Sequence, residues 1–119
     1  MVVRTEPRPL AVTETTIVKS IQLPALLSLP AGPGKAKQVL AANRLKVILI
    51  RLAGGEILPD HQAPGSITIH CVMGKLTLQT GDESLTLECG SIVCLEAEIV
   101  HRLEAFEDSA ILLTIASSS

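Results

Sequence analysis

His61, His70 and His101 are the residues of this chain best suited to chemistry. A neutral imidazole accepts or passes protons near physiological pH and is the commonest nitrogen ligand of divalent metals. His61 follows the turn Gly54-Gly55 and the short apolar pair Ile57-Leu58, His70 lies inside the run Ser66–Met73, and His101 opens the run Val100–Ala105. His61 and His101 stand 101 − 61 = 40 positions apart. Two strand-borne histidines so far apart in sequence can meet only if a sheet closes on itself, as in a barrel. Other chemistries lack their residues. Gly32-Pro33-Gly34 and Gly54-Gly55 match neither nucleotide-binding fingerprint. Gly65-Ser66-Ile67-Thr68 lacks the second glycine and the strand-to-helix setting of a nucleophile elbow. Cys71, Cys89 and Cys94 are odd in number and form no CxxC pair, which fits reduced thiols and argues against a structural zinc.

The elements that must position the histidines read as strands. The 119 residues suffice for one domain, and a hydrophobic share of 47% against 18% charged excludes disorder. With Lys+Arg 10 and Asp+Glu 12, the net charge of −2 gives no footprint for nucleic acid. One Phe and no Tyr or Trp leave no stacking platform for single strands, so the core is aliphatic. No apolar run approaches the roughly 20 residues of a membrane span, and Met1–Pro9 does not lead into a signal-peptide core. The chain is therefore expected to be cytoplasmic, without nucleic-acid or membrane partners.

Residues 1–34 read as an N-terminal arm of the same domain, with a short helix around Pro24–Leu27, where an early Pro is tolerated. Residues 35–116 read as a barrel and 117–119 as a disordered tail. Within 35–116, Lys37–Ala41, Leu45–Leu52, Ser66–Met73, Lys75–Thr80, Ser84–Glu88, Ser91–Leu95, Val100–Ala105 and Ala110–Ile115 are short β-type runs bounded by Gly, Pro and Asp turns. That rhythm predicts an all-β antiparallel sandwich or barrel. Leu45–Leu52 is apolar on both faces, as a strand covered on both sides would be. A homodimer using residues near 17–29 and 45–52 is expected to cover it.

Gly55-Glu-Ile-Leu-Pro-Asp-His61 with Ile67–Gly74 resembles the first motif of the cupin superfamily, and Gly90 to His101 resembles the second. The stretch His61-Gln-Ala-Pro-Gly65 resembles a His-x-Ala-Pro-Gly subgroup of small stand-alone cupins. The resemblance spans about Lys37–Ile115 and implies a jelly-roll barrel with a divalent metal (Zn, Fe, Mn or Ni) in its lumen. It places metal ligands at His61 and His101. The positions of the usual second His and of the Glu hold Ala63 and Ile67, so the metal is absent or weakly held. Glu96 and Glu98 replace the Pro and Gly of the second motif's turn.

His70 is the candidate third ligand, and its direction is open. Counting from Ile67 puts His70 outside, whereas a lumen for a polar ligand would favour the mixed face of Thr68, His70 and Val72. Gln62, Ile67, Met73, Ile92 and Cys94 are the expected pocket lining, with Glu98 orienting an imidazole or handling protons. Two functions follow: a small-molecule or metal-binding barrel, or a metal-dependent dioxygenase, isomerase or decarboxylase using His61, His101 and His70.

Overall fold

The computed structural model describes residues 12–14, 18–28 and 35–116. The chain divides into two units, Met1–Pro30 and Ala31–Ser119. In the first, β1 (Val12–Glu14) pairs antiparallel with β2 (Lys19–Ile21). A five-residue helix, α1 (Leu23–Leu27), follows with Pro in its first turn, where no amide hydrogen is needed. This is the short helix that the sequence predicts. The expected tail 117–119 lies outside the described residues.

Among the described residues, the second unit is all-β. Its strands are β3 (Lys35–Ala42), β4 (Leu45–Leu52), β5 (Ile57–His61), β6 (Ile67–Met73), β7 (Lys75–Gln79), β8 (Ser84–Glu88), β9 (Ile92–Leu95), β10 (His101–Ala105) and β11 (Ser109–Ala116). They form a five-stranded sheet, β3-β4-β11-β6-β9, and a four-stranded sheet, β5-β10-β7-β8, both antiparallel. The chain passes from one sheet to the other at Gly74 (φ +83°) and Gly90 (φ +99°), two left-handed positions that suit glycine. The result is a jelly-roll barrel.

The alternating runs are half-buried strands for the usual reason: every second side chain faces the opposite sheet. Ile50 and Leu52 of β4, Ile67, Ile69 and Cys71 of β6, Leu76 and Leu78 of β7, Leu103 and Ala105 of β10, and Ile111 and Leu113 of β11 form one core. No aromatic ring is among them. Cys71 is part of this core, and burial pushes its thiol pKa up, which keeps it protonated and unreactive. Among the described residues, no helix is long and apolar enough to cross a membrane.

Candidate functional site

His101 follows from simple alternation. Residues 101, 103 and 105 of β10 are buried while 102 and 104 are exposed, so His101 faces inward at one end of the strand, 2% exposed. His61 follows from an irregularity. On β5, His61 sits opposite His101 while Leu58 sits opposite Leu103, so three steps on β5 match two on β10. The extra residue falls at Pro59-Asp60, where a missing amide hydrogen makes regular pairing unfavourable. Such a bulge reverses the phase. Leu58 packs on the core, and three residues later His61 also faces the interior, its ring centroid 4.1 Å from that of His101. The rings are tilted by 60°.

Both imidazoles are held in the same way. His61 Nδ1 lies 2.8 Å from the carbonyl oxygen of Pro59, and His101 Nδ1 lies 3.0 Å from that of Ile99. A carbonyl oxygen only accepts, so each Nδ1 carries the proton and donates it. Each Nε2 is left with a lone pair, the tautomer a metal ligand or hydrogen-bond acceptor requires. Burial pushes the His101 pKa down. The Ile99 carbonyl works against that shift, and neighbouring His61 adds to it.

The loops carrying the two histidines are tied together. Glu98 donates its amide hydrogen to the Ala63 carbonyl at 2.9 Å, and Gln62 Nε2 donates to Glu98 Oε2 at 2.8 Å. Glu98 takes φ +69°, a left-handed conformation costly for a side chain with a Cβ. This is the position where the resembling motif carries Gly, and the backbone keeps the glycine geometry although the side chain has changed.

His70 is not brought to this pair, which corrects the three-histidine expectation. On β6, Ile67, Ile69 and Cys71 are buried in the core, and His70 belongs to the opposite face with Thr68. Its cross-strand neighbours are Leu112 and Ile92. Strand alternation thus prevails over the argument from a polar lumen. Among the described residues, no three His, Cys, Asp or Glu side chains converge as a metal set.

The other expected lining residues divide. Ile67 is buried in the core, and Gln62 is exposed at the loop junction. Ile92 is a correction: it is 64% exposed, because Val93 and Leu95 are the β9 residues that pack inward. Met73 is half-buried and outside the core, since the β6–β11 register shifts between Cys71 and Met73 and ends the alternation. Cys94 is exposed at the wall of a cavity of about 620 Å³ that also holds Leu78, Thr80, Val93, Leu95 and Ile99. The sequence reading missed that cavity. Thr80 comes directly after Gln79, which pairs with Arg102, so Thr80 falls level with His101 across β7 and β10.

A resident ion can be weighed against these donors. Two Nε2 atoms with fixed tautomers fit two coordination positions of a divalent metal. Ala63 and Ile67 pack with the core and contribute no further donor. The residues fit a metal as two of its ligands and do not make the three- or four-donor set of a closed zinc or a two-histidine, one-carboxylate iron site.

No protein-family model and no curated protein matches this chain. Solved structures do. A cupin superfamily protein from Desulfitobacterium hafniense superposes with a TM-score of 0.75 at 15% identity, covering 96% of this chain and 94% of that one. A protein from Shewanella frigidimarina that contains a cupin-2 domain gives 0.71 at 18%, covering 81% and 93%. The DMSP lyase DddQ from Ruegeria pomeroyi gives 0.68 at 14%, covering 72% of this chain and 48% of that one. The fold is that of the cupin superfamily.

Proposed function

We propose that this protein is a small-molecule-binding barrel whose lumen ends on a divalent metal held by His61 and His101. The observation that carries the reading is the matched pair of imidazoles, both with Nδ1 tied to a carbonyl two residues back and Nε2 free. Two protein ligands leave most of the coordination sphere to water and to the bound molecule. A metal held there by His61 and His101 would supply Lewis-acid polarisation of an oxygen on the bound molecule. The chain's own residues fix the ring tautomers, and the aliphatic core behind them keeps bulk water out.

The test is elemental analysis of protein purified without chelator or affinity tag, repeated after supplying Zn, Fe, Mn or Ni. Wild type is expected to take up one equivalent. His61→Ala and His101→Ala are each expected to lose it with the fold intact by circular dichroism, whereas His70→Ala retains it. Wild-type protein that takes up no metal when supplied would refute the metal site.

A catalytic reading is favoured by one observation. Burial keeps His101 unprotonated near neutral pH, as a general base requires. One neighbour in fold is also an enzyme by name. In that reading His101 accepts a proton from a molecule bound beside His61. A second copy of the chain covers residues near 17–29 and 45–52 in both readings. Light scattering then gives twice 12.6 kDa, and a value of 12.6 kDa at micromolar concentration refutes the dimer.

A further inference from the structure

The cavity of about 620 Å³ opens along the seam between the β7–β8 hairpin, β9 and the segment leading to His101. Its volume falls within the roughly 300–1,000 Å³ of small-molecule sites. The floor is apolar: Leu78 is 1% exposed, and Val93 and Leu95 pack on the core. The lip is apolar as well, and open. Leu85, Ile99 and Val100 are 41%, 42% and 46% exposed, which gathers three of the large exposed hydrophobic residues at one groove. Single exposed hydrophobics are ordinary, but a contiguous set around a cavity marks a binding surface.

The charged side chains that line this groove have one sign, while Arg102 and Asp60 line the adjoining pocket that shares Thr80, Gly81 and Val100 with it. Asp82, Glu83, Glu96 and Glu98 line the groove, and no Lys or Arg does. Among the described residues, none of the four is in an ion pair, and the Glu98 carboxylate is bonded only by the neutral amide of Gln62. Carboxylates beside a low-dielectric wall focus a negative potential into the groove. An anionic ligand is disfavoured there. A bare metal ion is a poor occupant too, because the carboxylates do not converge as a ligand set and the floor cannot replace a hydration shell. Charge complementarity and the apolar floor together select an ammonium head on a hydrocarbon body.

We infer that the groove binds a small amphipathic organic cation, its alkyl part on Leu78, Val93 and Leu95 and its ammonium group among Asp82, Glu83 and Glu96. The inference rests on the small-molecule half of the proposed function and is independent of the metal. Thr80 places one wall of the groove level with His101 along β7 and β10, and neither histidine lines the groove itself.

The experiment compares three probes of equal chain length, n-octylammonium, n-octanol and n-octanoate, by calorimetry and by amide chemical shifts on the full chain. Octylammonium is expected to bind about tenfold more tightly than octanol, the combined effect of several partly solvated charge contacts. Octanoate is expected to bind weakest. Added salt should weaken octylammonium and leave octanol unchanged. The triple variant Asp82→Asn, Glu83→Gln, Glu96→Gln alters exposed side chains only, and it should reduce octylammonium to the level of octanol. Equal binding of octanol and octylammonium, tighter binding of octanoate, no binding of any probe, or a preference surviving in the triple variant would each overturn the inference. Octanol binding in the groove without a cation preference would leave the small-molecule reading standing. Metal uptake by the same sample reports on the histidine pair separately.

Discussion

The two ends of β10 are built on opposite principles. At the Ala105 end, polar groups are consumed internally. Ala105 exchanges backbone bonds with Gly55 and Glu56, and Phe106 donates its amide hydrogen to Lys75. The fully buried Ser109 hydroxyl accepts from the Lys75 amide at 3.0 Å and donates to the Glu107 carbonyl at 2.7 Å. At the His101 end, the turn takes a left-handed glutamate, two imidazoles lie 4.1 Å apart with their Nδ1 atoms tied to carbonyls, and four carboxylates line an apolar groove. One end satisfies its polar groups within the chain. The other fixes both imidazoles and Glu98 by hydrogen bonds and leaves the exposed carboxylates of Asp82, Glu83 and Glu96 to solvent, a disposition suited to meeting a ligand. The comparison teaches that internally bonded polar groups and the proposed binding groups are segregated along a single strand.

Substitutions can break this contrast. The largest effect is expected at the closed end. A Cβ on Gly74 would meet Ser109 Oγ and the Asp108 carbonyl oxygen, and Gly74 sits at φ +83°. Gly74→Ala should lower stability by about 3 kcal/mol, the sum of left-handed strain and overpacking against backbone. The denaturant midpoint measures it. Gly81→Ala, where nothing lies within 4 Å of an added Cβ, is the control and should shift the midpoint by less than about 0.5 kcal/mol.

Acid is expected to act next, through the open end. His101 has a lowered pKa when folded, so below the usual histidine value of about 6.5 the unfolded chain binds the proton more readily than the native one. Stability is therefore full above that pH and falls as pH drops toward the depressed native pKa. The slope from this one group is at most about 1.4 kcal/mol per pH unit. Unfolding curves from pH 7.5 to 5 should show that loss in wild type and a smaller one in His101→Gln. An unchanged slope in the variant would assign the loss to another group.

The smallest effect sharpens the reading of the turn. Glu98→Gly removes a Cβ from a left-handed residue and should stabilise by about 1 kcal/mol, less the exposed Gln62 bond. Thermal unfolding measures it, and metal uptake should not change. A destabilised Glu98→Gly would mean that the Gln62–Glu98 bond contributes more than the backbone strain costs.

The all-β architecture was legible in the alternation of Lys75–Gln79, Ser84–Glu88 and His101–Ala105, because a strand with one buried face must place an apolar residue at every second position. The helix around Pro24 was legible as well, from turn chemistry; His61 and His101 do meet, but as direct partners on the neighbouring strands β5 and β10 of one sheet rather than through closure of the barrel. The inward turn of His61 was not legible. It depends on a bulge at Pro59-Asp60, and counting by twos cannot locate an extra residue that only the partner strand reveals. The side to which His70 points was also undecided by residue types. The apolar set Ile67, Ile69 and Cys71 faces the second sheet, and burying it releases more free energy than a histidine gains from a polar lumen. The groove lay furthest from the sequence. Its walls come from β7, β8, β9 and the turn at Glu98, segments that meet only when both sheets have closed. Local pattern thus determined which residues alternate and where the chain turns, whereas long-range pairing decided which face of each strand became the interior.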